Sequence, residues 1–311
     1  MRPWVKTLVV ALPAAILAVA PAAAQPQRRS VDTIHVGELP SGISAGAGSV
    51  WVSSARGDTV TRIDPSDDSI VARIIALEGP GDVAAASGAV WAIGNTEDSA
   101  ARIDPRTNDV VADEIELARE PAAVEIGRHH VWVTAFGDDT VLLLDPATNE
   151  VVAQVPPGDG PLGLAVARGE VWVADYNAGA VTRIDERTHA VTATFPVGDG
   201  PVDVAVGADA IWVANSASGS LSRLDPRTGT VTDVAVGGQP SAIATAFGLV
   251  WVADMARDAV LAVDPRTNDV AAVLPVGSGP TAITAGFGSV WVASVDGTVT
   301  RIAAGARNGA Y

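Results

Sequence analysis

Short apolar runs alternate with clusters of turn-forming residues along nearly the whole chain. In one clear stretch the apolar runs cover residues 202–206, 210–214, 221–224 and 231–236, with Gly, Pro, Asp, Asn or Ser between them. Runs this short, rich in valine, isoleucine and threonine, are typical of β-strands. The pattern therefore predicts four short antiparallel strands in about 40 residues.

This stretch recurs seven times, and one tryptophan marks each copy. The spacings between these tryptophans are 40, 41, 40, 40, 39 and 40 residues. The marking residues are Trp51, Trp91, Trp132, Trp172, Trp212, Trp251 and Trp291. A proline stands 11 positions before each of them, and an aspartate stands 13 positions after each of the first six. The period predicts an all-β fold, a seven-bladed β-propeller with four antiparallel strands per blade.

The two ends of the repeat region are incomplete in complementary ways. Residues 31–36 have the pattern of a strand with no partner strands before it, and the seventh copy has no fourth run after residues 298–302. We expect the N-terminal strand to become the outer strand of the last blade, which closes the ring and removes exposed sheet edges. The propeller should therefore span residues 31–302, followed by a C-terminal tail at 303–311.

The repeated residues are those that packing and turns require. The second run of each copy is apolar on both faces of its strand, so we expect the tryptophan to pack between neighbouring blades. The Asp-Pro-x-Thr segment after the third run favours a type I turn. An arginine two positions before this aspartate, such as Arg62 or Arg223, is interpreted as a bridge between blades, although Leu143 and Ala262 replace it in two copies.

The N-terminus has the pattern of a secretory signal. Arg2 and Lys6 precede an apolar stretch, and three alanines at 22–24 suit a cleavage site. We expect a signal peptide at 1–24, a flexible arm at 25–30, and a monomer in the periplasm or outside the cell. No later apolar run is long enough to span a membrane. The chain has no cysteine, so its core must stabilise it without disulfides.

The net charge of the chain limits its partners. It is −16 at pH 7, which argues against nucleic acid and indicates a small-molecule or protein ligand that is cationic if it is charged.

The repeat form Gly-x-Gly-Pro … Gly-x-Val-Trp-Val-Ala-Asn/Asp … Arg-Ile-Asp-Pro-x-Thr resembles the YVTN-repeat and virginiamycin B lyase-like seven-bladed propellers. The resemblance covers residues 31 to 302. In the streptogramin lyases of this family, histidines, a glutamate and a divalent metal near the blade ends carry out an elimination. The matching positions, three residues after each tryptophan, hold Ser54, Gly94, Ala135, Asp175, Asn215, Asp254 and Ser294. None is histidine or glutamate, so lyase activity is not expected.

The predicted strand directions divide the loops between two faces of the ring. The first face carries the Gly-Pro turns and the loops after each tryptophan, and the second face carries the turns before each tryptophan and the Asp-Pro turns. Acids dominate the first face, whereas arginines are mixed with acids on the second. His129 and His130 lie in a second-face turn, where they could contribute to a metal site but are expected to be exposed.

The sequence is consistent with two alternative functions. The leading one is an exported, non-enzymatic propeller that acts as a binding or scaffold protein through its acidic first face. The alternative is a metal-dependent lyase or hydrolase, streptogramin lyase-like or gluconolactonase-like, with a carboxylate and amide metal site at the channel mouth. The candidate binding residues are Phe136, Asp175, Tyr176, Asp203, Asn215, Asp254 and Met255.

Three of these candidates could hold a metal. Asp175, Asn215 and Asp254 occupy the same position in three consecutive blades, and their oxygen atoms suit a hard cation such as calcium. Asp and Asn at a strand end also form local turns, which is the structural interpretation of the same pattern.

Overall fold

Each copy of the repeat forms a four-stranded antiparallel sheet in the computed structural model, which describes residues 31–86 and 88–304. The expected signal peptide at 1–24 and arm at 25–30 lie outside the described residues, as does most of the expected tail. Seven sheets arranged in a ring confirm the predicted seven-bladed β-propeller. No helix in the described part of the chain is long and apolar enough to cross a membrane.

The four strand positions are the same in every blade. The innermost strands are β2 (Pro40–Gly46), β6 (Pro80–Ala86), β10 (Pro121–Ile126), β14 (Pro161–Ala167), β18 (Pro201–Gly207), β22 (Pro240–Ala246) and β26 (Pro280–Gly286). The second strands are β3 (Ser49–Ser54), β7 (Ala89–Gly94), β11 (Val131–Ala135), β15 (Glu170–Asp175), β19 (Ala210–Asn215), β23 (Leu249–Asp254) and β27 (Ser289–Ser294).

The third strands are β4 (Thr59–Ile63), β8 (Ser99–Ile103), β12 (Thr140–Asp145), β16 (Ala180–Asp185), β20 (Ser220–Leu224), β24 (Ala259–Asp264) and β28 (Thr298–Ala303). The outer strands are β5 (Ile70–Ile75), β9 (Val110–Glu116), β13 (Glu150–Val155), β17 (Val191–Pro196), β21 (Val231–Ala235), β25 (Asp269–Pro275) and β1 (Val31–His35). A single turn of 3-10 helix covers Phe136–Asp138.

The first and last described strands complete one blade. Strand β1 pairs antiparallel with β28, from Val31 opposite Ile302 to His35 opposite Thr298, and the sheet order is β1-β28-β27-β26. This confirms the predicted ring closure. Strand β28 continues through Ala303, so the propeller extends one residue into the expected tail.

Each marking tryptophan is buried between two blades. All seven are at most 1% exposed. Trp212 of blade 5 packs in one cluster with Ile243, Val250 and Leu261 of blade 6, and Trp291 of blade 7 packs likewise against blade 1. The expectation of an interblade tryptophan core is therefore correct.

An arginine reinforces most of these blade junctions. The guanidinium of Arg62 lies over the ring of Trp51, 5.0 Å from its centroid. Its Nη1 donates to the carbonyl oxygen of Pro105 at 2.6 Å and to Oδ1 of Asn108 at 2.8 Å, both in the Asp-Pro turn of the next blade. The arginines that repeat this stacking in other blades are Arg102, Arg183, Arg223 and Arg301. The predicted bridge is confirmed, and its partner is the turn of the following blade.

Replacing one tryptophan tests the interblade core. Trp212→Ala should lower the free energy of unfolding by about 3–5 kcal/mol, the usual cost of truncating a large buried aromatic side chain. Chemical denaturation followed by the fluorescence of the remaining tryptophans measures this. A loss below about 1 kcal/mol would be inconsistent with a core position.

Removing the closing strand tests the ring closure. Deleting residues 25–37 should lower the melting temperature or cause aggregation, because the edge of β28 becomes exposed. Deleting only residues 25–30 is the matched control and should leave the melting temperature unchanged. Equal behaviour of the two truncated proteins would contradict a stabilising role for β1.

Candidate functional site: the central channel

The seven innermost strands surround a central channel, and three acidic side chains enter it. Asp82 comes from β6, Glu125 from β10 and Asp203 from β18, and all three line a cavity of about 280 Å³. Asp82 and Asp203 lie two residues after the proline that begins their strands, next to the first face. Glu125 lies four residues after its proline, which places it about 7 Å deeper at the usual rise per strand residue.

A bulge at the start of the innermost strands sets the direction of these side chains. The register of β6 and β18 shifts immediately before Asp82 and Asp203. A bulge bends its strand and changes the direction of the side chain next to it. The inner edge of these strands has no neighbouring strand, so its backbone N–H groups are free to bind side chains in the channel.

Asp82 and Asp203 use this free edge in the same way. Oδ2 of Asp82 accepts a hydrogen bond from the backbone N–H of Val124, 3.0 Å away in the next blade. Oδ2 of Asp203 accepts one from Ile243 at 2.8 Å, again in the next blade. Each aspartate therefore connects two adjacent innermost strands across the channel wall.

Glycine in the preceding blade makes room for each aspartate. A Cβ atom on Gly42 would lie 2.7 Å from Cα of Asp82, and one on Gly163 would lie 2.6 Å from Cα of Asp203. Both distances are shorter than side chains tolerate. The glycine, aspartate and backbone N–H arrangement thus occurs twice, in blades 1 to 3 and again in blades 4 to 6.

The surroundings of the channel favour protonated carboxyl groups. Burial raises the pKa of Asp82 to about 6 and that of Asp203 to about 7. Desolvation by the surrounding protein, together with the negative charges of Asp82 and Asp203, raises the pKa of Glu125 to about 8. Glu125 is exposed to the interior of the channel, where the surrounding protein solvates its negative charge less well than bulk water does. The pKa values of all three carboxyl groups are therefore raised for the same main reason, the loss of solvation inside the channel.

The three expected metal ligands have other surroundings. Asp175, Asn215 and Asp254 are fully buried at the ends of their second strands. Oδ2 of Asp175 accepts a hydrogen bond from Oγ1 of Thr182 at 2.6 Å, and Asp254 pairs with Arg257.

Asn215 is bound in the same local manner. Its Nδ2 donates to Ser222 at 3.0 Å and to Ser220 at 3.2 Å, both in its own blade. Oδ1 of Asp175 and Oδ1 of Asn215 have no hydrogen-bond partner. Across residues 31–86 and 88–304, no group of three His, Asp or Glu side chains is arranged to hold a metal ion. Calcium binding stays a prediction.

The apolar candidates lie on the first face. Tyr176 is 37% exposed and Met255 is 36% exposed, while Phe136 is half-buried. The backbone N–H of Tyr176 donates to the carbonyl oxygen of Gly160 at 2.8 Å, so the loop after the tryptophan contacts a Gly-Pro turn. This confirms that both kinds of loop share one face.

Of the three channel acids, only Asp203 was among the candidate binding residues; Asp82 was not, and neither was Glu125. The sequence does distinguish Glu125, because the equivalent strand position holds serine, alanine or threonine in every other blade. An acid among small residues on an innermost strand indicates a side chain directed at the axis.

The fold and the channel define the class of this protein: a seven-bladed β-propeller with a carboxylate-lined central channel. Its fold is that of the virginiamycin B lyase-like propellers, as the repeat pattern indicated. Solved structures with this fold include virginiamycin B lyase from Staphylococcus aureus, at a TM-score of 0.77 and 17% identity over 89% of this chain and 99% of that one. A streptogramin B lyase gives 0.76 and 17% over 88% and 97%.

Hydrazine synthase from Kuenenia stuttgartiensis has the same fold, at a TM-score of 0.77 and 13% identity over 92% of this chain and 99% of that one. Likeness at these identities shows the fold alone. No protein-family model and no curated protein matches the sequence.

The raised pKa values predict how stability depends on pH. A carboxyl group whose pKa is higher in the folded state stabilises the fold below its unfolded pKa, and this contribution is lost as pH rises through the folded pKa. The melting temperature should therefore fall between pH 5 and pH 9 as Asp82, Asp203 and Glu125 ionise. Glu125→Gln should make this fall smaller, because it removes the group with the highest of the three pKa values.

Melting curves across this pH range measure the effect, with Glu78→Gln at an exposed first-face site as the control. Carboxyl groups with a lowered pKa, such as Asp104, lose their stabilising effect only at lower pH. Equal slopes for Glu125→Gln and the wild type would contradict the assignment.

Proposed function

We propose that this protein is an exported, non-enzymatic β-propeller that binds a ligand with a cationic group at the first-face mouth of its central channel. The observation that carries the proposal is the placement of Asp82, Glu125 and Asp203 in one cavity, where burial and mutual repulsion raise their pKa values. A positive charge among them relieves the repulsion and stabilises their ionised forms.

An organic cation suits this cavity better than a single metal ion. Asp82 and Asp203 come from blades 2 and 5, and Glu125 lies deeper in blade 3, so the oxygens are distributed along the channel. An ammonium or guanidinium group has several N–H donors and can bind carboxylates at different depths. Because Asp203 and Glu125, with pKa values of about 7 and about 8, are partly protonated at neutral pH, binding of the cation should release protons.

Apolar side chains on the same face provide contacts for the rest of the ligand. Tyr176 and Met255 are partly exposed in the loops after the second strands, and Phe136 lies in the equivalent loop of blade 3. Aromatic side chains also attract cations through their ring faces. The ligand is therefore a small molecule or peptide with an apolar part next to its positive charge.

The N-terminal pattern supports an exported location for this binding function. A positively charged start, an apolar stretch and small residues at 22–24 match a secretory signal. We expect the mature protein to act as a monomer in the periplasm or outside the cell.

The metal-dependent lyase or hydrolase has less support. A catalytically inactive virginiamycin B lyase from Staphylococcus aureus, which shares this fold at 18% identity, was solved with Quinupristin. In this chain the positions three residues after each tryptophan hold neither histidine nor glutamate. The shared fold is therefore consistent with a small-ligand site, while the side chains here favour binding over elimination.

Calorimetry with spermidine tests the proposal. The wild type should bind spermidine and release protons, measured as a difference in heat between two buffers of different ionisation enthalpy. Asp203→Asn combined with Glu125→Gln should weaken binding by about tenfold or more, because a hydrogen bond to a charged group contributes about 1.5–3 kcal/mol.

The control is Asp199→Asn combined with Glu78→Gln, which removes the same charge from exposed positions on the same face. Unchanged affinity in the channel variant would contradict the proposal. Calcium is titrated in parallel. A rise in melting temperature with calcium that is lost in Asp175→Ala combined with Asp254→Ala would favour the metal site instead.

A further inference from the structure

The junction between blades 3 and 4 lacks the arginine bridge found at most other junctions. Leu143 stands opposite Trp132 where other blades have arginine, and it is fully buried. The turn of blade 4 that would receive the arginine also differs. Glu186 replaces the proline of the Asp-Pro turn, and His189 replaces the residue that is Asn108 in blade 2. This junction is therefore built from different residues.

Histidines take the place of the missing arginine. The ring of His189 lies 5.8 Å from that of Trp132 and 5.0 Å from that of His130, edge to face in both cases. His130 was expected to be exposed in its turn, but it is partly buried, and its Nδ1 is buried without a hydrogen-bond partner.

The indole nitrogen of Trp132 is a second buried polar atom without a partner. In blade 1 the equivalent Nε1 of Trp51 donates to the carbonyl oxygen of Gly46 at 3.1 Å. Nε1 of Trp132 has no such bond, although the residue is fully buried, and in this it resembles Trp212. A Cβ atom on Gly127 would lie 2.8 Å from this nitrogen and 2.7 Å from Oε1 of Glu186. Both polar groups therefore lie next to Gly127.

Gly127 is also part of the wall of a cleft on the second face. The cleft has a volume of about 620 Å³ and lies between the β10–β11 turn of blade 3 and two turns of blade 4. Ile126 and Val166 supply apolar lining, while Arg128, Arg168 and Arg187 supply positive charge. No residue lines both this cleft and the carboxylate-lined channel, and the cleft contains arginines where the channel contains acids.

The three arginines of this cleft are available for a ligand. Within the described part of the chain, the guanidinium groups of Arg128, Arg168 and Arg187 form no ion pair and no hydrogen bond. The same turn position in blades 2 and 6 holds Arg106 and Arg266, which pair with their own aspartates at 2.8 and 2.6 Å. Arg187 differs from both in having no such ion pair.

The acidic groups nearby have their own partners. Oε1 of Glu186 accepts a hydrogen bond from the backbone N–H of Arg128 at 2.5 Å. Asp185 accepts hydrogen bonds from Thr188 in its own turn, and Asp145 accepts one from Ala147. The lining of the cleft therefore carries three guanidinium groups and one buried carboxylate.

We propose that this cleft binds a small oxyanion, a carboxylate or a phosphate. The planar guanidinium group binds both kinds of anion through two parallel hydrogen bonds, and arginine keeps its charge at all physiological pH values. The apolar lining accommodates the carbon skeleton of an organic anion. The unpartnered indole nitrogen of Trp132 lies next to Gly127 of the cleft wall.

Binding of inorganic phosphate and of citrate tests this assignment. Calorimetry and melting curves at constant ionic strength should show binding of at least one of these anions to the wild type. The variant Arg128→Gln/Arg168→Gln/Arg187→Gln should lose affinity by about tenfold or more, because it removes every guanidinium group that lines the cleft. The preferred anion distinguishes a phosphate ligand from a carboxylate.

The matched control is Arg106→Gln/Arg227→Gln/Arg266→Gln, which removes the same charge from the same face of other blades. This control should bind the anion as the wild type does, and tryptophan fluorescence verifies that both variants are folded. Equal losses in the two variants would overturn the proposal, because they would indicate a general charge effect. Absence of binding to both anions at millimolar concentration would also overturn it.

Discussion

Packing of one tryptophan between each pair of neighbouring blades is the interaction on which the remaining structure depends. A four-stranded sheet of about 40 residues cannot bury both of its faces by itself. Trp212, for example, joins the core of blade 5 to that of blade 6. Because every blade needs a neighbour on each side, the ring has to close, and the pairing of β1 with β28 satisfies this requirement without a disulfide.

The packing of the blades also determines which side chains are accessible to a ligand. Second strands are covered on both sides by adjacent blades, so a polar side chain at their ends has to find its hydrogen-bond partners within the protein. Asp175 and Asn215 do so, with Thr182 and Ser222. Innermost strands instead have one free edge and open onto the channel. Side chains such as Asp203 can therefore bind a neighbouring backbone and still line a cavity.

Sequence reasoning predicted the fold well because the fold depends on periodic residues, and it predicted the site only in part. Tryptophan, proline and Asp-Pro positions recur at fixed spacing, so the blade count, the interblade core and the ring closure could be derived. Asp203 was included as a candidate. Glu125 was not, because its direction depends on strand register after a bulge, which the apolar pattern does not specify. The proximity of Asp82 to Glu125 joins residues of different blades, which only the assembled ring brings together.

Residues that differ from the repeat help to identify candidate sites, because the equivalent residues in the other blades show what the fold itself requires. Leu143, Glu186 and His189 replace an arginine, a proline and an asparagine at one junction, and the blades still pack. Arg187 forms no ion pair with the aspartate of its own turn, unlike Arg106 and Arg266. In a chain with a net charge of −16, this local positive charge acts only at short range, because salt screens charges beyond about 8 Å. The proposed cation site in the channel and the proposed anion site in the cleft would therefore act independently of each other.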